Sequence, residues 1–471
     1  MSSLSPQRGE NMAYVYLLTV VAALGGLLFG YDTAVISGAI GFLQGHFQLD
    51  PQFGKGWAAA SALIGCAAGA ASAGFLGDWL GRKKMLIASA VMFLVSALGT
   101  AFPRDFTEFV VFRMIGGLGI GAASMTSPLY IAEIAPARVR GRMVSVNQFA
   151  IVSGMVLVYF VNYFIAQYGT AIDRAAGSAV ENWSVHYGWR WMFGSGAVPA
   201  GLFLALLLLV PESPRWLTKQ GLREQALAIL TRLVGPRQAT AELAQIETAI
   251  AQESGSLAQL LEPGLRLALA IGVILAVLQQ VTGINVFLYY APEIFKKMGT
   301  ATDAALLQTV VVGAVNMLFT IIALRTVDRW GRKPLLLVGA SGMGLALTAL
   351  GLAAYFGRTE VWTLVFILGY IACFALSVGP VVWVVLSEIF PTRIRGRAMA
   401  IATVCLWIAN YVVTQTFTMM DEDKWLVARF NHGFPFWVYA ALCVVMVVFV
   451  ARLVPETKGR TLEEIEQSWR R

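Results

Sequence analysis

GDWLGRKK at residues 77–84 returns as VDRWGRKP at 327–334, and the interval between the two decides how the chain is built. Asp78 and Asp328 stand 250 positions apart. Glu133 followed by RVRGR at 138–142 returns as Glu388 followed by RIRGR at 393–397, an interval of 255. PESPR at 211–215 returns as PETKG at 455–459, an interval of 244. Three signatures at nearly constant spacing mean two homologous halves. Working outward from them, runs of about 20 apolar residues, the length that crosses a bilayer, fall roughly at 14–40, 57–77, 85–102, 108–132, 143–167 and 190–210, then at 266–291, 305–325, 335–356, 362–386, 398–420 and 434–454. Each half holds six. The predicted fold is all-α and integral to the membrane, with twelve transmembrane helices in two six-helix halves.

The expected domains are 1–210, a linker over 211–265, 266–454, and a tail over 455–471. REQALAILTRLV and TAELAQIETAIAQE in the linker have helical periodicity and predict short amphipathic helices on the membrane surface. Composition agrees: 58% of the 471 residues are hydrophobic, 13% are charged, and the mean hydropathy is +0.68. Lys and Arg number 35 against 27 Asp and Glu. In such a chain that excess reports cytoplasmic loops and anionic headgroups rather than nucleic acid. Segments on the side of the two termini carry 25 of the basic residues and the opposite loops 8, which places both termini and the linker in the cytoplasm. The first apolar run is long enough to span and lacks a cleavage site, so no removable signal is expected. Cys66, Cys373, Cys405 and Cys443 lie in apolar stretches without metal-ligand spacing and read as small core residues.

These motifs resemble the sugar porter branch of the major facilitator superfamily. The matching pieces are GRK after spans two and eight, PESPRWL after six and PETKGRTLEEIE after twelve, with QQVTGINVFLYYAPEIF in span seven and GPVVWVVLSEIFPTRIRGR from span ten. Within the branch the nearest likeness is to bacterial proton-coupled D-xylose symporters, which share GYDTAVISG in span one and NQFAI in span five. The resemblance implies the major facilitator fold, a monosaccharide as substrate, protons as the coupling ion with no other cofactor, and a bacterial inner membrane. It further implies action as a monomer.

Asp78 and Asp328 end spans with basic residues, Arg82 and Arg332, four positions on. Glu133 and Glu388 end spans four and ten just before Arg clusters that include Arg142 and Arg397. The resemblance implies inter-helix salt bridges that hold the cytoplasmic ends closed; plain positive-inside anchors are the other reading.

A sugar offers hydroxyls that donate and accept, and a ring face of C–H groups. Amides match the first and aromatic rings the second. Gln279, Gln280, Asn285 and Tyr289 occupy the otherwise apolar span seven, where Thr282 and Gly283 loosen the helix. Gln148 in span five, Asn316 in span eight and Trp383 in span ten match the family's sugar-contacting positions, and by the same likeness Phe29 and Trp407 line the pocket. Leu406 and Met155 stand where the xylose symporter pattern has glutamines. Both changes make the pocket edge less polar and give D-glucose weight against D-xylose.

Asp32 lies within span one, where a carboxylate costs roughly 2.5–3.5 kcal/mol on insertion scales. Animal sugar facilitators resemble this chain but have asparagine there, which cannot carry a proton. Asp32 is therefore expected to be the proton-coupling group, with Arg113 as its partner; a purely structural pair is the rival. An uncoupled facilitator and a transporter-like sensor remain alternatives, the latter disfavoured by only about 17 residues after Val454. GGLGIG at 116–121 lies inside span four and reads as helix packing, not a phosphate loop. His46, His186 and His432 read as scattered loop residues, with no metal site. No nucleophile–base set sits within the spans, so an enzyme is not expected.

Overall fold

The computed structural model describes residues 11–177, 183–251, 265–357, 361–390 and 395–458, with Asp328 and Val361 as backbone alone. Twelve helices long and apolar enough to span a membrane are found among them. The first half comprises α1 (Met12–Phe47), α2 (Gly54–Leu80), α3 (Arg82–Ala101), α4 (Phe106–Ile134), α5 (Arg140–Ala175) and α6 (Ser184–Leu209). Three short helices follow, α7 (Pro214–Lys219), α8 (Arg223–Val234) and α9 (Pro236–Ala251). Span seven is split into α10 (Leu265–Val281) and α11 (Ile284–Lys297). Then come α12 (Thr302–Trp330), α13 (Arg332–Tyr355), α14 (Trp362–Ile389), α15 (Arg395–Asp421), the short α16 (Lys424–Phe430) and α17 (Phe434–Leu453). Most spans run past their expected ends. Apolar runs stop at the first charge, but backbone hydrogen bonding continues while long polar side chains reach for the interface.

Lipid supplies no hydrophobic drive between helices, so close backbone approach through small residues does the packing. Gly65 and Gly69 of α2 press on the Met114 and Leu118 carbonyls of α4, and Gly117 and Gly121 of α4 press back on those of Ala62 and Cys66. That is the use of GGLGIG. The α1–α5 pair repeats the device, Gly30 against the Ile151 carbonyl and Gly154 against that of Leu27. The duplicated GRK turns share a second constraint. Gly81 (φ 101°) and Gly331 (φ 89°) take a backbone conformation that favours glycine, and a Cβ at either would meet the carboxylate of Glu212 or Glu456. The linker helices α8 and α9 are amphipathic and pack on one another, and Asn11 ties the start of α1 to the Leu233 carbonyl at 3.0 Å.

The halves meet along α2–α15, α5–α12 and α1–α11. Among the described residues, their shared polar contacts begin at mid-depth, with Ser153 Oγ on Met317 Sδ (3.9 Å) and Tyr159 OH on the Leu288 carbonyl (2.9 Å). They continue to the face opposite the termini. There Gln415 Nε2 donates to the Phe53 carbonyl (3.2 Å), Thr418 Oγ1 to that of Gln52 (2.8 Å), and Gln52 Nε2 to that of Glu422 (3.1 Å). Lys55, 4% exposed, meets Glu293 at 2.5 Å across the same seam. This far face is closed.

A buried ion that loses its partner is costly, so Lys55→Met should loosen that closure. Lys296, 3.4 Å from Glu293, is left to hold the carboxylate. Hydrogen exchange by mass spectrometry should then rise severalfold in the segments around Gln52 and Thr418. Unchanged exchange would assign the seam to its side chain–carbonyl bonds alone.

Candidate substrate and proton site

Span seven breaks where Thr282 and Gly283 foretold it. Gly283 has φ 93°, a Cβ there would stand 2.8 Å from the Tyr439 ring, and the freed Thr282 carbonyl accepts from Tyr370 OH at 2.9 Å. The break gathers the amides. Gln279 Nε2 donates to the carbonyls of Val378 (3.0 Å) and Gly379 (2.9 Å), where α14 widens into a π turn over Phe374–Val378. Gln280 Nε2 donates to Gln279 Oε1 (3.2 Å), and Asn285 Nδ2 to Gln280 Oε1 (2.5 Å). Tyr289 OH accepts from Asn410 Nδ2 at 3.4 Å, and Asn410 Oδ1 accepts from Thr414 at 3.1 Å. Sequence reading missed Asn410, whose one signal was an amide within the apolar run of span eleven.

Across from this cluster the Phe29 and Trp407 rings stand 5.5 Å apart, one from each half. Trp407 is 3% exposed, and its Nε1 has no hydrogen-bond partner. Gln148 and Trp383 are half-buried and Asn316 is buried. None of these three side chains makes a hydrogen bond among the described residues. Buried polar groups are ordinarily bonded, so these idle side chains on helices of both halves are candidates to meet a polar ligand. The expected residues thus fall into a bonded amide group (Gln279, Gln280, Asn285), a ring pair (Phe29, Trp407), Tyr289 with Asn410, and three open donors or acceptors.

Asp32 follows Phe29 by three residues on α1, and the Arg113 guanidinium of α4 meets it. Arg113 Nη1 lies 3.3 Å from Asp32 Oδ2 and 3.2 Å from the Asp32 carbonyl. Arg113 is 1% exposed, with its guanidinium 5.4 Å from the centre of the Phe193 ring.

On the terminus face each half carries a like set. In the first, Arg82 pairs with Asp78 (2.8 Å) and Glu133 (3.0 Å), and Ser213 Oγ donates to Glu133. In the second, Arg332 pairs with Glu388 (2.9 Å), and Thr457 Oγ1 donates to Glu388 (2.6 Å). Asp328 lies outside the described side chains. Glu212 accepts from the Lys83 N–H (3.0 Å), and Glu456 from those of Arg332 (3.1 Å) and Lys333 (3.0 Å). Burial pushes the Glu212 carboxyl up against those donors. At Glu456 burial also opposes the charge, but the Lys458, Arg332 and Lys333 N–H groups hold the carboxyl below its usual range. The arginine pairs join helices within one half, and Glu212, Ser213, Glu456 and Thr457 tie the start of the linker and of the tail to the half each follows. Arg142 and Arg397 are exposed.

The histidine reading needs correction. His46 ends α1 and His186 sits in the π turn that opens α6, so packing brings their rings to 5.8 Å. His432 bonds Asp421 through Nδ1 at 2.9 Å. Among the described residues no three His, Cys, Asp or Glu side chains are grouped to hold a metal.

Two like six-helix halves facing each other beside a broken, amide-bearing helix are the arrangement of a secondary transporter. The chain belongs to the sugar transporter family: the model for "Sugar (and other) transporter" matches residues 18–469. It is 47% identical to the D-xylose-proton symporter of Escherichia coli (strain K12), over 98% of this chain and 96% of that one. It is 41% identical to the glucose facilitated diffusion protein of Zymomonas mobilis, over 98% of each. The solved inward open conformation of the E. coli xylose transporter superposes with a TM-score of 0.83 at 44% identity, covering 97% of this chain and all of the other.

Proposed function

We propose that the chain carries a monosaccharide, D-xylose or D-glucose, into the cell together with a proton by alternating access. The Asp32–Arg113 pair carries the coupling half of this reading: a titratable carboxyl, half-buried inside one half, three residues from a ring that faces the other. The sugar lies in a pocket lined by Phe29 and Trp407 and takes the hydrogen bonds left open by Gln148, Asn316 and Trp383, with Gln279, Gln280, Asn285 and Tyr289 lining the same pocket. Residues 1–210 and 266–454 rock as units, with 211–265 and the 455–471 tail in the cytoplasm at the terminus face. The closed far-face seam supports reading this state as one shut on the side away from the cytoplasm. Asp78, Arg82, Glu133 and Arg142, with Asp328, Arg332, Glu388 and Arg397, form the gate of the cytoplasmic face. The protein acts as a monomer in the cell (inner) membrane, with protons as coupling ion and no other cofactor or metal.

An uncoupled facilitator is the competing reading, and the Z. mobilis relative keeps it in view. One experiment separates them: uptake of labelled xylose and glucose into proteoliposomes with and without an imposed pH gradient. Accumulation above the external concentration only with the gradient supports coupling; equal plateaus with and without it refute coupling.

Leu406 and Met155 are 4% and 9% exposed. Leu406→Gln or Met155→Gln should move preference toward the pentose, because a hexose hydroxymethyl satisfies an added amide poorly. Competition of xylose against glucose for uptake reads the ratio. An unaltered ratio in both variants would place these positions beyond the sugar's reach.

A further inference from the structure

Beside Asp32 the structure holds a hydroxyl with nothing to do. Ser96 of α3 is fully buried, and its Oγ has no hydrogen-bond partner. Gly116 of α4 leaves room for it: a Cβ there would run into Ser96 Oγ and stand 3.2 Å from Asp32 Oδ2. Hydroxyl and carboxylate therefore border the same gap. Phe93 and Ala97, which flank Ser96 on α3, line a cavity of about 10 Å³ with Asp32, Tyr31 and Gly196. That is space for about one water.

An ionised carboxylate only accepts hydrogen bonds, and in this structure Asp32 accepts from Arg113. Once protonated it becomes a donor, and a guanidinium cannot receive that bond. Ser96 Oγ can, having both lone pairs free.

We propose that Ser96 is a positioning residue for proton coupling: it accepts the hydrogen bond of proton-bound Asp32 when that side chain leaves Arg113. This rests on the reading of Asp32 as the coupling group. Because Ser96 makes no bond in the ion-paired state, the bond it gains counts wholly for the proton-bound state. Ser96 thus raises the pH up to which the carrier stays loaded. The other charged or titratable groups facing Asp32 are Arg113 from α4, Cys66 from α2, Tyr289 from α11 and Tyr31 on its own helix. Thiol and phenol ordinarily ionise above about pH 8. A midpoint at acid or neutral pH therefore does not report them.

The test is gradient-driven sugar uptake in proteoliposomes across external pH of about 5 to 8. Ser96→Ala should move the midpoint down by up to about one pH unit, the worth of one net hydrogen bond. Sugar binding by the purified carrier at the acid end should stay as in wild type, and Ser96→Thr, which restores the hydroxyl, should return the midpoint. If the alanine variant fails to fold, Ser96→Cys, of similar size but a weak acceptor, should shift the midpoint in the same direction. An unmoved midpoint in the folded variant, with Asp32→Asn abolishing accumulation, overturns the role of Ser96 alone. Accumulation that persists in Asp32→Asn overturns the reading of Asp32, and this proposal with it.

Discussion

Asp32→Asn is expected to abolish pH-driven sugar accumulation while leaving sugar binding, and exchange with sugar on both sides, close to wild type. Asparagine keeps the size of the side chain and an oxygen for Arg113, but it has no proton to carry. A structural pair would behave otherwise, because removing one charge of a buried pair is commonly worth about 3–5 kcal/mol. Here that penalty is softened. Arg113 Nη1 also donates to the Asp32 backbone carbonyl at 3.2 Å, a bond the substitution does not touch. The energetic stake is large. One charge crossing a membrane at about 150 mV is worth roughly 3–4 kcal/mol, enough for a sugar gradient of about two to three orders of magnitude. Uptake and binding measured side by side on this variant decide the matter. A well-folded Asp32→Asn carrier that still concentrates sugar under a pH gradient removes Asp32 from coupling; one inactive in every assay makes the pair structural.

Trp383→Ala and Gln280→Ala should each weaken sugar binding at least tenfold without loss of folding. Trp383 is half-buried and makes no hydrogen bond among the described residues, so its truncation removes a ring face and an unbonded N–H. Gln280 holds Asn285 and Gln279 in one amide chain. Its removal would take away the proposed ligand contact and leave Asn285 Nδ2 to turn elsewhere, each at a cost of about 1–3 kcal/mol. Calorimetric titration of the purified variants with xylose and with glucose measures the loss. Isotherms unchanged from wild type in both would take these residues out of the pocket.

The sequence by itself determined the twelve spans and the duplication, and it offered amides and rings as candidates for a pocket. Hydropathy and intramolecular repeats are properties read along the chain, and a bilayer demands both length and apolarity of every crossing segment. It also singled out Asp32, because a carboxylate inside an apolar run is conspicuous wherever the helix turns. Contacts between residues far apart in the chain depend instead on how each helix is rotated and at what depth it is gripped. Only the tertiary structure decided those. His46 and His186, 140 positions apart, become neighbours because α6 opens beside the end of α1. The expected gate bonds of Arg82 and Arg332 fall within their own halves, while Lys55 and Glu293, unremarkable in sequence, close the far face between them. Ser96 looked like any small residue of a packed helix. The glycine across from it, with no side chain to fill the gap, is what sets its hydroxyl beside Asp32.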